Sequence, residues 1–114
     1  MSAQTSLNFD ELLRVLNAAT DRNKLRWTET AQEDAFRAEF GYGMVGIAKN
    51  PDTARYVLTL VDREGTLLDQ FEPSGEGTLI ALEGLYKKAR RQALDLDEKV
   101  KALFDHLKSL AGEQ

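Results

Sequence analysis

Cysteine is absent from this sequence, and histidine and tryptophan occur only once each. The lack of cysteine excludes disulfide bonds, thiolate catalysis and cysteine-based zinc sites. The single histidine, His106, has no second histidine with which it could share a metal ion. The chain's own residues therefore predict no metal site.

Long apolar runs are lacking as well. No run approaches the roughly 18 residues that a membrane-spanning helix needs. Residues 1–6 contain neither the basic region nor the apolar core of a signal peptide. We therefore expect a cytoplasmic protein that makes no contact with a membrane.

Basic residues are not in excess: 15 Lys and Arg stand against 19 Asp and Glu, for a formal net charge of -4. A general nucleic-acid-binding protein usually has a basic balance, so we expect no such binding. The apolar fraction of 42% and the charged fraction of 30% are typical of a globular protein. A chain of 114 residues is long enough to bury a core and predicts a single domain over residues 1–114.

The clearest start of a helix lies at Asn8, which can accept hydrogen bonds from the first turn. Glu11 stands three residues later, as in a capping box. Leu7 and Leu12 have the spacing of a hydrophobic staple around this cap. Apolar residues then recur at helical spacing, which predicts an amphipathic helix that ends near Thr20.

Five short segments with strand-like alternation follow, separated by residues typical of turns. They lie at 25–28, 35–40, 44–48, 55–61 and 66–71. The segment 55–61 is apolar on both sides, with Tyr56 and Leu58 on one and Val57 and Val61 on the other. A strand of this kind is covered on both faces of its sheet. We expect helices on one face and a second copy of the chain on the other.

The hairpin around 62–65 has two possible registers. A loop of two residues places Leu60 opposite Leu67, whereas a loop of three places Val61 opposite Leu67. Gly65 suits the left-handed backbone of either turn. The sequence does not decide between the two registers.

Two further helices are predicted after the glycines at 75 and 77. The first ends near Leu94, and Asp95 is expected to cap the second, with Glu98 three residues later. The apolar residues of the last helix recur at Leu96, Val100, Leu103, Leu107 and Leu110. The predicted fold class is α+β: an N-terminal helix, an antiparallel meander of four to five strands, and two C-terminal helices packed on one sheet face.

The segment 41–46 matches the pattern G-x-G-x-x-G of dinucleotide-binding loops. Such a loop needs a strand before it and a helix after it, but here a strand pattern follows. We therefore interpret the glycines as turn residues that supply positive φ, and we predict no cofactor. No catalytic residues are predicted either, because His106 has no nucleophile near it in a recognisable elbow.

Five residues are candidate contacts for a partner or ligand: Trp27, Tyr42, Lys87, Lys88 and Arg91. The cationic group at 87–91 is expected to be a solvated helix face, or else a site for an acidic partner or a phosphorylated ligand. Trp27 is expected in the core, with stacking on a flat ligand as the alternative.

The order of these segments resembles small uncharacterised bacterial α+β domains that occur alone or beside signalling and defence ATPases. The resemblance rests on the N-terminal helix, the Leu25-x-Trp27 strand, the meander with its turn at 62–65, and the two last helices. It carries no functional residue over to this chain.

The sequence favours a non-enzymatic protein–protein interaction domain, an adaptor or chaperone-like protein that self-associates as a dimer and binds another protein. The alternative is a binder of a nucleotide or other phosphorylated ligand. That site would use the cations at 88 and 91 or the glycines at 41–46, with Tyr42 or Trp27 stacking on the ligand.

Overall fold

The computed structural model describes residues 8–112. In this part of the chain, one helix precedes five strands and two helices follow them. The helices are α1 (Phe9–Asp21), α2 (Glu76–Ala93) and α3 (Leu96–Leu110). The strands are β1 (Trp27–Glu29), β2 (Ala35–Phe40), β3 (Gly43–Lys49), β4 (Tyr56–Asp62) and β5 (Leu67–Phe71). The predicted α+β fold class is confirmed.

Helix α1 begins as expected, at Asn8. The Asn8 side chain accepts hydrogen bonds from the backbone N–H of Asp10 at 2.9 Å and of Glu11 at 3.3 Å. Glu11 forms an ion pair with Arg14, one turn further along. The staple expected of Leu7 lies outside the described residues.

The five strands form one antiparallel sheet in the order β1-β2-β3-β4-β5. Helices α1 and α2 lie on one face of this sheet, which we call the inner face, and the core lies between them. Its centre consists of residues with almost no exposed surface: Leu13, Trp27, Val45, Ile47, Leu58, Leu82 and Leu85. The burial of this face stabilises the fold at roughly 25 cal/mol per Å² of apolar surface.

Trp27 lies in this core with 2% of its surface exposed. Its indole Nε1 donates a hydrogen bond of 3.0 Å to the hydroxyl of Thr20. That hydroxyl in turn donates to the carbonyl of Leu16 at 2.8 Å. Thr20 is the only buried polar side chain among the described residues. Its hydroxyl accepts the hydrogen bond of the buried indole N–H and thereby links β1 to the end of α1.

The β4–β5 hairpin follows one of the two predicted registers next to its turn and departs from both beyond a bulge. Near the turn Val61 lies opposite Leu67, as a three-residue loop requires. Gly65 has a φ of 90°, which suits the last position of such a loop. A bulge between Leu60 and Val61 then shifts the register, so that Leu58 lies opposite Phe71. The shift turns Phe71 toward the inner face, where its ring stacks on Phe9 at 5.0 Å.

Helix α3 begins differently from the prediction. Asp95 precedes the helix, but its side chain makes no capping hydrogen bond, and its backbone is left-handed with a φ of 56°. The expected cap was wrong because this single residue must turn the chain between two adjacent helices. Aspartate tolerates that conformation better than most residues. Gly112, with a φ of 80°, follows the helix as expected.

Helix α3 does not lie on the sheet. Its extensive contacts are with α2 alone, and none of its residues is buried. The expectation that both C-terminal helices pack on the sheet face therefore holds for α2 and not for α3. None of the helices within residues 8–112 is both long and apolar enough to cross a bilayer.

Candidate functional site

The apolar stripe of α3 is the most exposed apolar surface on a regular element of the described chain. Each of five side chains has 58–71% of its surface exposed: Val100, Leu103, Phe104, Leu107 and Leu110. We call these five residues the α3 stripe. Soluble monomers rarely expose apolar residues in such a contiguous row, so the stripe is a candidate interaction surface.

Charged residues border the stripe in an ordered way. The first turn of α3 carries the acidic residues Asp97 and Glu98, and the last turn carries Lys108. Asp97 forms an ion pair with Arg91 of α2, across the junction of the two helices. With about 100° per residue, Asp97, Phe104 and Lys108 fall on the same flank of the stripe.

The outer face of the sheet, opposite the helices, is a second and weaker candidate. Val57, Thr59 and Val61 of β4 point to this face and are half-buried. Gly46 lies opposite Thr59, and the charged side chain of Arg37 is exposed on β2. This mixture of small, polar and apolar residues is much less hydrophobic than the α3 stripe. The strand is apolar on both sides, as expected, but whether a second copy covers it stays a prediction.

The cationic residues of α2 do not form one site. Lys88 extends its ammonium group to Asp21 at 3.0 Å and to the side-chain oxygen of Asn17 at 2.9 Å. Arg91 is paired with Asp97, and both cations line a cleft that also contains acidic residues. Lys87 lines a different cleft of the surface. These cations are therefore largely neutralised by neighbouring carboxylates.

The two aromatic candidates lie in opposite environments. Trp27 has no face open to a ligand, because the core encloses its ring. Tyr42 lies at the turn between β2 and β3 with 82% of its surface exposed. The structure does not bring Tyr42 together with the cations of α2 in any of the described clefts.

The glycines at 41–46 form a β-hairpin, in which Phe40 pairs with Gly43. The expectation that these glycines supply positive φ was wrong, since none of them has a left-handed backbone. Gly43 is required for another reason: a Cβ atom there would lie 2.2 Å from the backbone oxygen of Val61. The close approach of β4 therefore explains a glycine at this position.

One cleft was not foreseen from the sequence. It has a volume of about 550 Å³ and is bordered by Tyr56, Tyr86 and three cations, Lys49, Lys87 and Arg90. The hydroxyl of Tyr86 donates a hydrogen bond to Asp34 at 3.1 Å. The hydroxyl of Tyr56 approaches Glu83 at 3.4 Å.

Both tyrosines of this cleft are perturbed by their surroundings. Burial, followed by the hydrogen bond to Asp34, raises the pKa of Tyr86 to about 12. Burial and the nearby charge of Glu83 also raise the pKa of Tyr56. The partners of each hydroxyl are distant in sequence, so no local pattern could have predicted this cluster.

Compared with known proteins, the chain matches no family model, no curated protein and no solved structure. Within residues 8–112, no group of three or more histidine or acidic side chains is placed to hold a metal ion.

Proposed function

We propose that this protein is a non-enzymatic protein–protein interaction domain that self-associates. The observation that carries the proposal is the α3 stripe, in which five large apolar side chains are each more than half exposed. The core between the sheet and helices α1 and α2 is well buried, so the stripe is not a sign of a poorly formed core. Elsewhere, apolar side chains such as Leu68 and Ile80 are also exposed, but they do not form a row of five along one helix.

The free energy available from covering the stripe is substantial. Full burial of one large apolar side chain contributes about 1.5–3 kcal/mol. Five side chains that are each more than half exposed offer several kcal/mol before the costs of association. The outer face of the sheet offers less, because Val57 and Val61 are already half-buried and only their neighbour Leu67 adds a large, more than half-exposed apolar side chain to this face. The α3 stripe is therefore the main surface, and the outer face is secondary.

The mass of the protein in solution tests this proposal. Sedimentation equilibrium over a wide concentration range should show a reversible dimer. Leu103→Glu should abolish it, because a charge would be buried in the interface. Ala102→Glu is the matched control: it introduces the same charge on the same helix, but on the side away from the stripe. The control should leave the dimer intact.

The proposal fails if the unchanged protein is a monomer at every concentration and retains no partner in a pull-down. A dimer that persists in Leu103→Glu would locate the interface elsewhere, with the outer face of the sheet as the next surface to test. Loss of the dimer in both variants would point to a general effect of charge.

A second candidate function, binding of a nucleotide or other phosphorylated ligand, is supported by the cleft beside Tyr56 and Tyr86. Lys49 and Arg90 form no ion pair among the described residues, so both are free to contact a phosphate. However, Asp34 and Glu83 border the same cleft and oppose an anion. A bound ligand would raise the melting temperature by mass action, whereas unchanged melting with millimolar nucleotides would remove this candidate.

A further inference from the structure

We infer that two copies of the chain associate through α3, with the two α3 helices packed antiparallel along the α3 stripe. This inference rests on the proposed self-association and specifies its partner and geometry. Three observations support it: the spacing of the apolar residues, the order of the charges on the flanks, and the place of α3 in the fold.

The spacing of the apolar residues gives α3 one apolar face along its whole length, which is compatible with packing against a second helix. Leu96, Val100, Leu103, Leu107 and Leu110 follow one another at intervals of four, three, four and three residues. This alternation places apolar residues at the a and d positions of two successive heptads. Any amphipathic helix has intervals of this kind, as α1 does at Phe9, Leu13 and Leu16, so the spacing admits a second helix as the occupant without requiring one. The choice of a second copy of α3 follows from the order of the charges on its flanks.

The order of charges makes the stripe complementary to itself in one orientation. In an antiparallel pair related by a two-fold axis, the same flank of each helix faces its counterpart. Asp97 in the first turn then lies near the partner's Lys108, and the reverse contact follows from symmetry. The two Phe104 rings meet near the centre of the same flank. The opposed helix dipoles also favour this orientation.

A parallel pair lacks these contacts. The flank with Phe104 would face the opposite flank of the other helix, which carries Lys99 and His106. Both acidic first turns would also lie at the same end, beside the junctions with α2. The extensive contacts of α3 are with α2 alone. An antiparallel pair therefore holds the two sheets at opposite ends of the helix pair.

The expected dimer is of modest affinity. A helix of 15 residues is about 22 Å long and offers two heptads. Such a pair buries less than a standard interface of about 800 Å² per partner. We therefore expect a dissociation constant in the micromolar range and a dimer that separates on dilution.

Cysteine cross-linking tests the orientation directly, because the unchanged chain has no cysteine to interfere. One variant carries Leu96→Cys and an affinity tag that increases its mass, and the other carries Leu110→Cys without the tag. An antiparallel pair brings position 96 of one copy close to position 110 of the other. After treatment with a short bis-maleimide, the mixture should give mainly the mixed dimer. Each variant alone should give at least fivefold less product.

The control is Ala102→Cys, which places the thiol on the side of α3 away from the stripe and should give little product. Efficient cross-linking of each variant with itself, without enrichment of the mixed product, would overturn the antiparallel orientation while leaving self-association intact. A monomeric unchanged protein would overturn both.

Charge reversal provides a second test. Lys108→Asp should weaken the dimer by about 2- to 10-fold at low salt, because two exposed ion pairs per dimer become repulsive. The double variant with Asp97→Lys and Lys108→Asp exchanges the charges across the same flank, but it also removes the ion pair between Asp97 and Arg91. It should therefore bind more tightly than either single variant without necessarily reaching the affinity of the unchanged protein. A double variant no tighter than Lys108→Asp would overturn the proposed contact between Asp97 and the partner's Lys108.

Discussion

Helices α2 and α3 follow one another in the chain, and both carry a leucine-rich stripe, but only α2 buries it. Leu82 and Leu85 of α2 have no exposed surface, whereas Leu103 of α3 is 65% exposed. Both helices are amphipathic, so their composition does not explain the difference. What separates them is whether a partner surface is within reach.

The width of the sheet supplies the reason. Five strands about 4.8 Å apart span about 19 Å between the outer strands. Two helices, each about 10 Å across, are enough to cover that width. Helices α1 and α2 already occupy the inner face, so a third helix finds no apolar area left on it. Helix α3 is therefore left without sheet surface to cover its stripe, which is the basis of the self-association proposed above.

The largest expected effect contrasts the same substitution in the two helices. Leu85→Ala should lower the free energy of unfolding by about 2–5 kcal/mol, because it leaves a cavity in a tightly packed core. Leu103→Ala should change it by less than about 1 kcal/mol at concentrations where the protein is monomeric. Urea unfolding followed by the fluorescence of Trp27 measures both. Equal losses in the two variants would show that α3 packs on its own chain.

Gly43→Ala tests how tightly the sheet itself is packed. The added methyl group would collide with the backbone oxygen of Val61. A backbone atom of a paired strand cannot move aside as the end of a flexible side chain can. We expect a loss of roughly 1–3 kcal/mol, as for other overpacked sites. Gly41→Ala is the control, because its Cβ would meet no atom within 4 Å and its φ is not left-handed. The two variants should differ clearly in urea midpoint. Equal midpoints would mean that β3 and β4 separate at little cost.

Tyr86→Phe tests the polar contacts of the buried side of α2. Because the pKa of Tyr86 is raised from 10.0 to about 12, the folded protein retains the phenol proton after the unfolded chain has lost it. The contribution of the protonated Tyr86 side chain to the free energy of unfolding is therefore fully present below pH 10 and is lost as the pH rises toward 12. Tyr86→Phe removes the hydrogen bond to Asp34, so we expect it to lower the free energy of unfolding by about 1 kcal/mol at pH 8. Above about pH 10 the free energy of unfolding of this variant should fall less steeply with pH than that of the unchanged protein.

The control for this experiment is Tyr42→Phe, since Tyr42 is exposed at the β2–β3 turn. Thermal unfolding between pH 8 and pH 11 measures both variants. If the melting temperature of Tyr86→Phe falls with pH as steeply as that of the unchanged protein, ionisable groups other than Tyr86 cause the loss of stability at alkaline pH.

The smallest expected effect concerns the junction between the two helices. Arg91 and Asp97 form an ion pair there, but both side chains are more than half exposed. Arg91→Ala should therefore change the free energy of unfolding by less than about 1 kcal/mol. A chemical denaturation series in low and high salt checks this. A loss above 2 kcal/mol would show that α3 is held to α2 more firmly than its exposure suggests.

Much of the fold could be predicted because its signals are local. Asn8 caps α1, Gly65 forms the turn of the last hairpin, and the alternation of apolar residues marks each strand. The bulge between Leu60 and Val61 could not be predicted, since it depends on bringing Phe71 to the inner face beside Phe9. The conformation of Asp95 was missed because its sequence also fits a helix cap.

The candidate surfaces were predictable only in part. The sequence showed that strand β4 is apolar on both sides and that α3 has an apolar stripe. It did not show that the stripe is the more exposed of the two. The cleft between Tyr56 and Tyr86 was not predictable at all, because Tyr86 and Asp34 are 52 residues apart and meet only through the fold.

The sequence by itself determined which segments are helices and strands, because periodicity, caps and turns act over a few residues. Only the tertiary structure decided which apolar faces are covered, because that depends on how much sheet area the neighbouring elements have already occupied. For α3 the inner face was already occupied, and its stripe stays exposed in the folded chain.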